Sequence, residues 1–152
     1  MPHSYKAYLD ILNRISKAIT SDLYLEDILK LIVNLTANVM NAKICSLWLL
    51  DDRTQELKIR ATQAMSQEYL KERCLKLGEG IVGCVAMDRK PVVIYDVIKD
   101  RNYKEKNLAK KEGLKSMLSV PMMVKDKAIG VINIYTVEPY EFTDGDISLL
   151  VT

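Results

Sequence analysis

The sequence predicts an α+β domain with a central antiparallel sheet of five to six strands and helices on both faces. Three observations predict it. Two helix-period stretches open the chain, strand-like runs follow as hairpin pairs, and small glycine-bounded helical segments separate those pairs. A length of 152 residues suits a single domain with its own core.

Residues Tyr5 to Thr20 read as a helix, because Tyr5, Tyr8, Leu12, Ile15 and Ile19 recur as one apolar stripe. A break at Ser21-Asp22 precedes a second helix, Leu25 to Met40, with Ile28, Leu29, Ile32, Leu35 and Val39 on one face. Lys43 to Leu50 is a nearly continuous apolar run, as in a strand covered on both faces. Asp51-Asp52-Arg53-Thr54 supplies turn chemistry, and Glu56 to Ala64 returns as the hairpin partner. Gln67 to Cys74 reads as a short helix, and Ile81 to Met87 as another. Pro91 to Tyr95 is a short strand opening on proline, which suits an edge. Tyr103 to Glu112 is helical, with Lys110 and Lys111 near its end and Gly113 as a natural cap. Ser116 to Val124 and Ala128 to Val137 form a second hairpin around Lys125-Asp126-Lys127. Pro121 must then sit where its missing N–H is harmless. Thr143 and Asp146 have capping-box spacing for an exit helix that has only begun at Thr152.

The formal net charge of +2 is too small to argue for nucleic acid or a membrane surface. No apolar run approaches the roughly 20 residues of a membrane span, and the N-terminus lacks the apolar segment of a signal peptide. Cys45, Cys74 and Cys84 follow no disulfide or metal spacing and read as reduced cytosolic thiols. With His3 as the only histidine, a histidine metal site, a haem ligand or a Ser-His-Asp triad has almost nothing to build on.

Several motifs, taken in order, resemble a GAF domain from about Tyr24 to Thr152. They are Cys45-Ser46-Leu47-Trp48-Leu49-Leu50-Asp51, Gly78-Glu79-Gly80-Ile81-Val82-Gly83, Pro91-Val92-Val93-Ile94 with Asp96, Ser119-Val120-Pro121-Met122, Gly130-Val131-Ile132-Asn133 and Phe142-Thr143. The resemblance implies a GAF/PAS-like sheet. It also implies a role as a ligand-binding or protein-interaction module, of the kind found in histidine kinases, phosphodiesterases, cyclic-di-GMP enzymes, transcription activators and a phosphoenolpyruvate-dependent phosphotransferase. It places any pocket between the sheet and the Leu77–Leu118 excursion. Matched by position, the lining is Trp48, Ile81, Cys84, Tyr95, Asp96, Tyr103, Leu108, Leu114, Met117 and Ser119. Such a lining either encloses an apolar small-molecule site or closes into solid core.

Other chemistry is weaker on the residues themselves. Gly78-x-Gly80-x-x-Gly83 spells a dinucleotide fingerprint, but Leu75-Lys76-Leu77 is too short and polar for the buried strand that should precede it. Tight turns and close helix–sheet packing explain these glycines better. The cyclic-nucleotide signature of GAF relatives is met at Asn133, Phe142 and Asp146, but Ile134 and Ile147 replace its lysine and glutamate. Asn133 therefore reads as a strand residue with local hydrogen bonds. Free methionine-R-sulfoxide reductases are GAF domains of this size. Cys84 is displaced by two positions from their cysteine, and the helix Tyr103–Glu112 lacks a second. Bilin-binding relatives commonly carry Cys-His, and no cysteine here precedes a histidine. From Lys99 to Lys115 cations outnumber carboxylates, whereas Glu138, Glu141, Asp144 and Asp146 make the exit segment acidic; screening weakens both patches.

The sequence thus predicts a cytoplasmic regulatory domain without catalytic activity, metal or cofactor, cut from a larger bacterial signalling protein. It is expected to bind a small molecule, to form a homodimer through its terminal helices (residues 1–22 and 144–152), or both, and to contact neither nucleic acid nor membrane. A pure dimerisation scaffold with a filled pocket is the alternative, and a thiol reductase a narrower one.

Overall fold

Strand β1 (Ile44–Asp51) takes the middle of the sheet because its sequence, ICSLWLLD, supplies apolar side chains to both faces. It pairs with β2 (Glu56–Thr62) on one side and β6 (Lys127–Thr136) on the other. β3 (Cys74–Lys76) extends the sheet beyond β2, while β5 (Ser116–Val124) and β4 (Val92–Ile94) extend it beyond β6. The computed structural model describes residues 5–20, 22–62 and 74–151. Across its six strands the order is β3-β2-β1-β6-β5-β4, with every neighbouring pair antiparallel.

One face is covered by α3 (Gly80–Asp88) and α4 (Lys106–Glu112). They bury Ile81, Val82, Val85, Leu108 and Ala109 in a core with Ile44, Trp48, Met117, Val131 and Tyr135. The opposite face is covered by α2 (Asp22–Met40), whose Leu29, Val33 and Ala37 share a core with Leu47, Leu118, Val120, Ile132 and Ile134. Full burial of one Val or Leu contributes about 1.5–3 kcal/mol, so each face holds its helices mainly by area. Ile147 and Leu150 of α5 (Asp144–Val151) are partly buried against this second core, and α1 (Tyr5–Thr20) lies against α2. This is the α+β architecture expected from the sequence.

Four details differ from expectation. The helix expected over Gln67–Cys74 lies outside the described residues except for Cys74, which begins β3. The inward stripe of α2 is Leu29, Val33 and Ala37, while Ile32, Leu35 and Val39 are exposed. This helix is apolar nearly all round, so period alone does not select the buried side. Helix α4 starts three residues after Tyr103, at Lys106. The Asp100 Oδ1 atom accepts the Asn102 and Tyr103 N–H groups at 2.8 and 3.2 Å and holds that stretch in a turn. Finally, α3 ends on Arg89, which takes the left-handed conformation (φ 57°) and donates its N–H to Val85 O at 2.8 Å, rather than on a glycine.

Gly113, in contrast, ends α4 in the left-handed conformation as expected (φ 71°). Pro121 lies past Ser119, the last β5 residue to find a partner on β4, so that side of the strand is a free edge there, while Pro121 still faces Val131 of β6.

Candidate functional site

The face under α3 and α4 is where the expected pocket residues converge. A cavity of about 20 Å³ lies there, lined by Trp48, Leu75, Gly80, Ile81, Val82, Tyr103, Lys104, Glu105, Met117 and Tyr135. That is room for roughly one water molecule. The space is small because Tyr103 fills it. Its ring meets Tyr135 edge-on with centroids 6.3 Å apart, and its hydroxyl donates to the Tyr135 hydroxyl at 3.3 Å.

Of the residues expected to line a pocket, Trp48, Ile81, Tyr103 and Met117 border this cavity. Leu108 and Leu114 belong to the same core without reaching the cavity wall. Cys84 is half-buried, and its Sγ donates to Gly78 O at 3.4 Å. Asp96 accepts the Ile98 N–H at 3.0 Å, tying down the turn after β4. Tyr95 stands apart from the cavity with its side chain 57% exposed, because its place at the sheet edge turns it to solvent. The family positions did not point to Leu75, Val82 or Tyr135, which reach the wall through strand pairing and helix docking.

Ser119 sits in a feature of its own. Strand register sets Thr62, Ser46, Asn133 and Ser119 side by side across β2, β1, β6 and β5. Ser46, Asn133 and Ser119 alternate with Trp48, Tyr135 and Met117 on the face toward α3 and α4. Ser46 Oγ donates to Thr62 Oγ1 at 3.5 Å. The Asn133 Oδ1 and Ser119 Oγ atoms, in residues 1% and 0% exposed, have no hydrogen-bond partner. The local hydrogen bonds expected for Asn133 are therefore not made at its oxygen. Its fixed register buries that oxygen between strands whose own ladders are already complete. The sequence carried a partial signal, since Ser46 and Asn133 are each a single polar residue within an apolar run, in ICSLWLL and GVINIY.

The glycine motif is explained by packing. A Cβ on Gly83 would collide with the Lys76 carbonyl, so glycine is what lets α3 lie directly on β3. The cyclic-nucleotide signature is met only by structural roles. Ile134 is fully buried in the opposite core, and Asp146 accepts the Tyr140 hydroxyl at 2.7 Å and the Thr143 N–H at 2.9 Å. Burial pushes the Cys45 thiol up to about 12, which keeps it from acting as a thiolate nucleophile. Among the described residues, no group of three or more His, Cys, Asp or Glu side chains is placed to hold a metal ion. No helix among them is long and apolar enough to cross a membrane.

The GAF domain family matches residues 23–152, nearly the whole chain. This chain belongs to the GAF domain family. A phosphoenolpyruvate-dependent phosphotransferase system protein of Salmonella typhimurium is 26% identical over 141 residues, covering 93% of this chain and 19% of that protein. The GAF domain thus spans about a fifth of that relative's length. The GAF domain of an Acinetobacter phosphoenolpyruvate-protein phosphotransferase superposes with a TM-score of 0.72 at 30% identity, covering 99% of this chain and 88% of that one. A free methionine-R-sulfoxide reductase from Neisseria meningitidis, solved with its substrate, shares the fold with a TM-score of 0.70 at 20% identity, covering 99% and 87%. The relatives nearest in sequence among these are GAF domains of phosphotransfer proteins, which supports a regulatory domain.

On the side away from the small cavity, the GAF domain exposes a broad apolar surface. Tyr5, Tyr8, Leu9, Ile11 and Leu12 of α1 are exposed, as are Leu31, Leu35 and Val39 of α2 and Leu149 and Val151 of α5. Between α2, the β5–β6 hairpin and α5 runs a groove of about 660 Å³ lined by Ile32, Leu35, Val39, Met122, Ile129 and Leu149 among others.

Proposed function

We propose that this GAF domain is a non-catalytic regulatory module of a bacterial cytoplasmic signalling protein, acting as a homodimer through α1, the outer side of α2 and α5. The exposed apolar surface on these three helices carries the reading. Leu35 is 54% and Val39 66% exposed on a helix whose inner face is already fully engaged. Contiguous apolar surface of this kind marks association. A second copy is the fitting occupant, because Lys6 and Asp10 on α1, and Glu26 and Lys30 on α2, place opposite charges one helical turn apart. A two-fold contact can pair such charges reciprocally.

Sedimentation equilibrium tests this proposal. The expected result is a dimer that Leu35→Glu and Leu12→Glu each weaken at least about tenfold, the effect of burying one uncompensated carboxylate, without loss of helical content. A domain that stays monomeric at the highest attainable concentration would overturn it.

A second reading is favoured by the unpartnered Asn133 and Ser119 oxygens: the face under α3 and α4 binds a small molecule. Of the expected lining, Trp48, Ile81, Tyr103 and Met117 border the small cavity, Ser119 belongs to the polar row, Leu108 and Leu114 belong to the surrounding core, and Cys84, Asp96 and Tyr95 do not border the cavity. A thermal-shift panel of nucleotides, amino acids, 2-oxoacids and neutral metabolites checks this reading, with a saturable rise in melting temperature expected.

A further inference from the structure

Folding sorts the mixed charges of residues 99–115 by exposure. Lys99, Arg101, Lys104, Lys110 and Lys115 are exposed, whereas the three carboxylates of the same stretch, Asp100, Glu105 and Glu112, are half-buried. Asp100 is also engaged by the backbone, accepting the Asn102 and Tyr103 N–H groups. The outward surface of this stretch is therefore positive. Exposed aromatic rings stand next to it. Tyr95 is 57% and Tyr140 41% exposed, and the Ser116 hydroxyl ties their two segments together by donating to Tyr95 O and accepting the Tyr140 N–H. The Val97 N–H donates to Lys115 O at 2.8 Å, which sets Lys115 beside the same edge.

We propose that this surface docks a short acidic segment of another protein, its carboxylates meeting the cations and an apolar residue among them packing on Tyr95. Tyrosine and arginine are the side chains that anchor protein interfaces, and complementary charge selects the partner and speeds its arrival. The surface lies across the sheet from α2, since α4 packs on the face opposite to it. It therefore stands apart from the dimer contact proposed above and does not depend on it.

The length and border of the patch set the class of partner. Helix α4 has seven residues and so runs only about 10 Å. The Lys115 N–H donates to Thr136 O, and just beyond Thr136 the exposed carboxylates of Glu138, Glu141 and Asp144 begin. Duplex nucleic acid carries a negative charge about every 1.7 Å and would run from the cations onto these carboxylates. An anionic membrane plane would meet the same repulsion. A segment with a few carboxylates fits within the patch and ends before its acidic border.

The test is an NMR titration of the ¹⁵N-labelled chain with a short synthetic peptide of glutamates around one phenylalanine. Oligothymidylate, phosphatidylserine vesicles and inorganic phosphate are the comparison probes. The expected result is saturable shifts of the Tyr95, Arg101, Lys110 and Lys115 amides with the peptide, weakening as salt is raised. Arg101→Gln combined with Lys110→Gln should lower peptide affinity about fivefold, the loss of two exposed ion pairs. Tyr95→Ala should lower it at least about fivefold, as truncation of an interface aromatic does. If Tyr95→Ala fails to fold, the charge variant carries the test alone. Lys90→Gln combined with Lys125→Gln, at the other end of the sheet, should leave affinity unchanged. An equal loss in that pair would reduce the effect to unspecific charge attraction and overturn the proposal. So would a stronger response of the same amides to oligothymidylate, to vesicles or to phosphate, which would assign the surface to nucleic acid, membrane or a small anion. Shifts of these amides on concentrating the chain alone would assign it to a second copy, and no response to the peptide at low salt would leave it a solvated face; either overturns the proposal.

Discussion

Ser116 and Ser119 stand on one strand, equally buried, yet face opposite sides of the sheet and meet opposite fates. The Ser116 hydroxyl donates to Tyr95 O at 2.6 Å and accepts the Tyr140 N–H at 2.9 Å. One oxygen thus joins the end of the β4 edge strand to the segment that leads into α5. Ser116→Ala leaves both backbone groups short of a partner and is expected to cost about 1–3 kcal/mol. Ser119→Ala is expected to be neutral or slightly stabilising. Urea denaturation of the two variants side by side measures the contrast; equal losses would show that both hydroxyls are satisfied in the fold. Nothing local in SMLSVPMMV separates these serines. Alternation tells which face each takes, but the partners come from Tyr95, Tyr140 and the β6 register, which lie far along the chain. For the same reason family position pointed to Trp48, Ile81, Tyr103 and Met117 as neighbours of the small cavity, but not to Tyr135 or to the isolation of Asn133 Oδ1.

Among the elements, α5 shows how a short helix is set by its first turn. Thr143 Oγ1 accepts the Asp146 N–H at 3.1 Å while Asp146 Oδ2 accepts the Thr143 N–H at 2.9 Å, the reciprocal bonds of a capping box. The Tyr140 hydroxyl also donates to that carboxylate, and its ring packs edge-on against Phe142 at 4.9 Å. The Thr143 N–H first, and then the Tyr140 hydroxyl, hold the Asp146 carboxyl below its ordinary range. A lowered folded value means that the stabilisation is complete above the ordinary carboxylate range and is lost as pH falls through the lowered value. The first turn of α5 should therefore loosen only in acid, seen as movement of the Thr143 and Tyr140 resonances together, and Asp146→Asn should abolish that titration. Thr143→Ala should cost about 1 kcal/mol in thermal or urea unfolding. This cap was legible because both its residues lie within one turn. β3 was not, because Cys74–Lys76 is too short for any period and exists only through its pairing with Glu56–Lys58. The buried side of α2 was misjudged because apolar residues surround the helix, and tertiary docking made the choice.

At the scale of the molecule, one sheet separates two surfaces of different character. The side under α3 and α4 is closed and marked by unpaired polar atoms, while the side bearing α1, α2 and α5 is open and apolar. A regulatory domain needs these surfaces to be coupled, and Ser116 offers a hydrogen-bonded link for it, joining the end of β4 to the segment that leads into α5. Coupling between two sites is reciprocal: the factor by which a ligand changes dimer affinity equals the factor by which dimerisation changes ligand affinity. The prediction is that a saturating ligand identified by the thermal-shift panel shifts the dimer dissociation constant by about 5–150-fold, the range typical of a coupled pair of sites. The affinity for that ligand, measured above and below that constant, should differ by the same factor. Ser116→Ala should shrink both factors together while the monomer remains folded. Sedimentation and NMR titration at two protein concentrations decide the matter. Factors near one in both directions would mean that the two faces act independently, and that the domain contributes association alone to the protein that carries it.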